Sequence, residues 1–202
     1  MKQNIIVVLF NISSEAYQAF SELKAYSQTI DALVAQAVLI KKENGLIIPA
    51  ESTDFTANTV EGTWTGSLIG SLVGILGGPI GVLLGGATGA LIGSDAGTAQ
   101  TLEEGALLEN TAKKLDNGST AIIILAQESD EAVLDAFFHR FKTVILRQDA
   151  AVAQQDVLAA IEAQEEVARQ AHEAWKKQRK EKVEAFKADI KQKFDKLAAK
   201  LK

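Results

Sequence analysis

The period of apolar positions changes several times along the chain, and each change predicts an element. Asn4–Phe10 is a continuous, largely β-branched run, as in a buried strand. Ser13 and Ser14 offer an N-cap for a helix over Glu15–Ser27, with Ala16, Ala19, Phe20 and Leu23 on one face. Ala32–Lys41 reads as a second strand, Asn44-Gly45 as a hairpin turn, and Leu46–Ile48 as a short return strand ending at Pro49. Thr101–Leu115 has helical spacing. Asp116-Asn117-Gly118 is a turn, Thr120–Ala126 a buried strand, and Ser129 or Asp130 caps a helix over Glu131–Phe141 before a last strand, Thr143–Arg147. The second half echoes the first: Ile6–Leu9 matches Ile122–Leu125, and Ser13-Ser14-Glu15-Ala16 matches Ser129-Asp130-Glu131-Ala132 at the same offset. Two βαβ units in series predict an α+β, ferredoxin-like βαββαβ sandwich over residues 1–149, an antiparallel sheet with helices on one face.

Residues 62–97 break this alternation. Twelve of the fifteen glycines lie here, and no charge occurs between Glu61 and Asp95. Gly62, Gly66, Gly70, Gly74 and Gly78 step by four, and so do Gly77, Gly81, Gly85, Gly89, Gly93 and Gly97. Steps of four put small residues along one helix face, where two backbones can approach closely. Gly77-Gly78-Pro79 breaks the helix, since proline lacks the amide hydrogen and clashes with the preceding turn. The pattern predicts a glycine-zipper helical hairpin inserted between the two halves of the sheet, contributing no strand to it. Interior glycine costs about 1 kcal/mol relative to alanine, so close packing or removal from water must compensate. Each arm reaches roughly 22 Å against about 30 Å of hydrocarbon, which favours a re-entrant or oligomer-buried hairpin over a full span.

Residues 150–202 predict one long helix, because neither glycine nor proline follows Gly118. In its last third an eleven-residue repeat aligns Trp175, Val183, Phe186, Ile190, Phe194, Leu197 and Leu201 as an apolar stripe among lysines. Such a helix can lie on a membrane surface; a coiled coil or packing against the chain itself are the alternatives.

At this point the chain resembles the bacterial domain-of-unknown-function family 1269, often described as predicted membrane proteins. The resemblance is carried over residues 1–149 by the first strand and helix, the G-x-x-x-G run broken at Gly78-Pro79, and the Asn117–Ile124 strand entry. It implies a ferredoxin-like body with a glycine-rich membrane-associated insertion, and no established activity.

Charge sharpens the partner reading. The net charge is −5, yet residues 1–172 hold ten Lys/Arg against twenty-one Asp/Glu, while residues 173–202 hold eleven against five. A basic tail suits an anionic surface. Its interleaved acids disfavour nucleic acid. With no cysteine, thiolate metal sites and disulfides are excluded. His139 and His172 belong to no ligand set, the glycines form no phosphate loop, no G-x-S-x-G elbow occurs, and Glu103-Glu104 and Glu165-Glu166 diverge by about 100° on their helices.

The expectation is a non-enzymatic, membrane-associated protein without cofactor, metal or small-molecule substrate. It would sit on the cytoplasmic side of the cell membrane, peripheral or re-entrant and partly cytoplasmic, with membrane lipid and its own copies as partners. The hairpin (Gly62, Gly66, Gly70, Gly74, Gly78, Gly81, Gly85, Gly89, Gly93) would insert or self-associate, and the tail stripe would bind the surface. The alternative is a soluble oligomeric binding or regulatory module with the hairpin buried between subunits.

Overall fold

The computed structural model describes residues 1–26, 28–55, 65–85 and 107–200. Five strands, β1 (Lys2–Phe10), β2 (Ala32–Glu43), β3 (Leu46–Asp54), β4 (Thr120–Glu128) and β5 (Thr143–Asp149), form one antiparallel sheet in the order β3-β2-β4-β1-β5. The two uninterrupted apolar runs, β1 and β4, pair near the centre, with Ile6 opposite Ile124 and Val7 opposite Ile123.

Both faces of this sheet are covered, which corrects the expectation of helices on one face. Ile6, Val8, Phe10, Ile122, Ile124 and Ala126 pack under α1 (Ser13–Lys24) and α5 (Ala132–Phe138), with Phe20 and Phe138 buried there. Ile5, Val7, Leu9, Ala121, Ile123 and Leu125 point the other way, into a second core. That core is closed by α2 (Thr65–Gly77), α3 (Pro79–Gly85), α4 (Leu107–Lys114) and the start of α6 (Ala150–Lys200). The physical reason lies in the strands. A run apolar at every position leaves no side fit for water, so each face needs its own cover.

From α2, Leu68, Ile69, Leu72, Ile75 and Leu76 supply that cover, at most 6 % exposed. Their spacing marks one side of a helix. The glycine-rich segment, read as an insertion outside the core, therefore shares the core through α2. Burial of each such side chain favours the fold by roughly 1.5–3 kcal/mol. Within the described residues the segment adds no strand, and α2 and α3 are separated at Gly78, with Pro79 opening α3.

Turn chemistry holds where the sequence predicts it. Asn44 and Gly45 both have positive φ, at 52° and 81°, as a two-residue hairpin with primed geometry requires. The Gly45 N–H donates to Asn117 Oδ1 at 2.7 Å, and the Gly118 N–H to the Lys42 carbonyl at 2.7 Å, tying this turn to the entry of β4. Beyond Pro49, β3 runs on to Asp54, because a register shift between Leu39 and Ile40 lets the pairing pass the missing amide donor.

The predicted serine cap does not form. Ile12 occupies the N-cap of α1 without a side-chain bond, while Ser13 Oγ donates to the Gly118 carbonyl at 3.1 Å and accepts from Thr120 Oγ1 at 2.9 Å. At α5, Asp130 Oδ1 accepts from the Ala132 N–H at 2.9 Å. Asp149, unremarked in the sequence, caps α6 by accepting from the Ala151 N–H at 2.8 Å.

The chain divides into two compact units, Met1–Ile161 and Glu162–Lys202. The first contains the sheet and Ala150, Ala153 and Val157 of α6, all buried in its core. The second is helical through Lys200.

Candidate functional site

The second unit carries a row of exposed apolar side chains on a basic helix. Trp175 is 55 % exposed and Phe186 64 %, with Val183 and Ile190 beside them. Trp175, Val183 and Phe186 line an open hollow of about 350 Å³ together with Gln178, Arg179 and Lys182. The helix repeat explains the grouping. At about 100° per residue, Phe186 lies about 20° and Arg179 about 40° around from Trp175. The Arg179 guanidinium carbon sits 5.3 Å from the centre of the Trp175 ring, and His172 stacks on the same side chain at 6.2 Å and 20°.

Sequence reasoning missed Arg179 as part of the apolar face. Its position four residues after Trp175 and seven before Phe186 was the available signal. Phe194 and Leu197 lie on the helical backbone, with side chains outside the described residues, as is Leu201 altogether.

The glycines of the predicted zipper divide by task. Gly70 and Gly74 face away from the sheet, and a Cβ at either would meet nothing within 4 Å. At Gly77 a Cβ would lie 2.6 Å from the Ile47 carbonyl oxygen, so this glycine lets α2 approach the backbone of β3. At Gly81 it would collide with the Leu76 carbonyl, so here glycine permits the close turn from α2 into α3. Gly78 forms the bend, donating its N–H to the Ile75 carbonyl at 3.1 Å. Gly66 and Gly85 belong to α2 and α3, while Gly62, Gly89 and Gly93 lie outside the described residues.

A buried polar cluster sits at the β1–β4–β5 side of the first unit. The enclosed Glu128 carboxylate accepts from Asn4 Nδ2 at 2.9 Å and from Arg147 Nε and Nη2 at 3.1 and 3.3 Å. Arg147 Nη2 also donates to Asp135 Oδ1 at 2.7 Å, and Glu131 lies 3.6 Å from Nη1. Burial pulls the Arg147 pKa down, but hydrogen bonds and charge from Asp135 and Glu128 outweigh it and raise it above the usual value. The guanidinium is consumed by carboxylates from a neighbouring strand and helix, so the cluster fastens β1, β4, β5 and α5 together.

His139 is exposed at the end of α5, its amide donating to the Asp135 carbonyl at 2.8 Å. Among the described residues, no three His, Cys, Asp or Glu side chains could share a metal ion. Among the same residues, no helix is long and apolar enough to cross a membrane.

No curated protein and no solved structure gives a significant match to the chain. A family model does match, over residues 61–162, a span that includes α2–α5 and the cap and buried first turns of α6. By that match over half its length, the chain belongs to the family described as protein of unknown function DUF1269.

Proposed function

We infer that this is a non-enzymatic, membrane-associated protein held at the cytoplasmic face of the membrane by its helical tail. The observation that carries the reading is the exposed Trp175–Val183–Phe186–Ile190 row on a helix rich in lysine. Such a row leaves apolar area in water unless a partner covers it. A bilayer interface takes the apolar side between head groups while lysines reach outward to lipid phosphates. The apolar side of α2 already rests on the sheet, which favours peripheral attachment over insertion of that helix.

The body is read as ferredoxin-like. Leaving out β3, the order β2-β4-β1-β5 is that of a βαββαβ sandwich, with β3 added at its edge. The glycine-rich stretch is read as a helical hairpin, of which α2 and α3 are the described part; residues 86–97 lie outside the described residues.

A second reading, a soluble oligomer with this hairpin between subunits, is favoured by the open outer side of α2 at Gly70 and Gly74. Small residues there let another helix approach closely. Vesicle co-sedimentation of the full chain separates the two. Peripheral binding predicts pelleting with phosphatidylserine-containing vesicles that is lost in high salt. A chain that stays in the supernatant as an oligomer at every salt concentration would give the place to the second reading.

A further inference from the structure

The tail's apolar face contains a cation at its centre, and that cation has no partner of opposite charge among the described residues. Arg179 lies between Trp175 and Phe186 along the helix and about 40° around from Trp175, with its guanidinium over the Trp175 ring. Lys182, on the rim of the same hollow, is likewise without an ion pair among the described residues. Lys176, Lys177 and Lys180 are also without an ion pair among the described residues, but Arg179 alone of these lies over an aromatic ring. Two other cations of the helix are engaged. Arg169 holds Glu166 at 2.8 Å and Glu173 at 3.4 Å, and Lys187 lies 3.7 Å from Glu184.

A purely apolar occupant of this face would strip water from the guanidinium and return nothing for it. An occupant with an anionic group beside an apolar body satisfies both halves. The guanidinium is held against the indole by cation–π attraction, and its N–H donors, in no ion pair among the described residues, are of the kind that grips phosphate oxygens in pairs.

Resting on the membrane-surface reading, we propose that Trp175, Arg179, Lys182 and Phe186 form a binding site for an anionic phospholipid. Arg179 and Lys182 hold the head-group phosphate, and Trp175, Val183 and Phe186 lie against the glycerol and upper acyl region. Surface attachment is then centred on one arginine rather than spread evenly over the lysines.

The test uses the full chain and vesicles of phosphatidylcholine with and without phosphatidylserine, read by co-sedimentation. Three variants are compared: R179Q, R179K, and K177Q, which removes the same charge from the far side of the helix, about 200° from Trp175. Loss of one diffuse surface charge should weaken partition about fivefold. R179Q should lose at least tenfold beyond K177Q, and R179K should recover only part, since an ammonium neither stacks nor binds phosphate in pairs. Helicity and the thermal transition should match wild type in all three.

Equal losses for R179Q and K177Q, or full rescue by lysine, would overturn the site while leaving membrane attachment standing. Equal binding of wild type to both vesicle types would also overturn it. Wild type that ignores every vesicle would overturn the site and the reading beneath it. An oligomer formed without lipid and abolished by R179Q would assign the face to a second copy instead.

Discussion

Two apolar helical segments of this chain, α2 and the tail from Trp175 to Ile190, meet opposite fates. In α2 the apolar side is buried on the sheet, with Ile69 1 % and Leu72 2 % exposed. In the tail Phe186 is 64 % exposed. Yet α2 is the more hydrophobic by sequence and carries no charge, whereas lysines surround the tail's stripe. Greater hydrophobicity thus went to the protein's own core. The difference teaches that apolar content measures how much a segment gains by leaving water, and says nothing about where it goes. The sheet needed a second cover, and α2 was the nearest apolar segment without charge.

Truncation gives the largest contrast. Leu72→Ala should cost about 2–5 kcal/mol, the range for a buried leucine whose cavity cannot collapse. Phe186→Ala removes more apolar surface yet should change stability by no more than about 0.5 kcal/mol. Urea denaturation followed by circular dichroism reads both. Similar losses for the two variants would erase the distinction between a covered and an uncovered segment.

The same contrast recurs on a smaller scale inside α2. Gly77→Ala forces a methyl group against the Ile47 carbonyl and should destabilise by about 1–3 kcal/mol. Gly74→Ala meets open space and should stabilise by up to about 1 kcal/mol, the helical preference of alanine over glycine. Opposite signs three residues apart, measured by thermal unfolding, separate the glycines that serve the core from those that face outward. If Gly74→Ala also destabilises, its outer side is covered.

The smallest effect concerns what holds each helix in shape. Where α2 relies on burial, the start of the tail has exposed pairs. Hydrogen bonding from Arg169, then from Gln170, keeps the Glu166 carboxyl below the usual carboxylate range. A carboxyl with a depressed folded pKa stabilises fully above its unfolded value and loses that contribution as pH falls through the folded one. Tail helicity should therefore dip slightly on acidification through that window. Glu166→Gln should remove this component of the titration, and an unchanged profile in the variant would show that the pair contributes nothing.

Local rules carried much of the architecture before any coordinates. The runs at Asn4–Phe10 and Thr120–Ala126 had to be buried strands, Asn44-Gly45 had to turn with positive φ, and Gly77-Gly78-Pro79 had to end a helix. The tail's apolar face was legible from spacing alone, because one helix presents its own periodicity without help from the rest of the chain. Tertiary structure decided the remainder. Ser13 stands where a helix cap is expected, but Gly118 and Thr120, more than a hundred residues on, claim its hydroxyl. Gly74 and Gly77 both belong to the glycine steps of four, and only the approach of β3 separates them, since a Cβ at Gly77 would meet the Ile47 carbonyl and one at Gly74 would meet nothing. The apolar side of α2 could have faced lipid, a second copy or this sheet. Burial has no direction of its own, and the uncovered face of β1 and β4 supplied one.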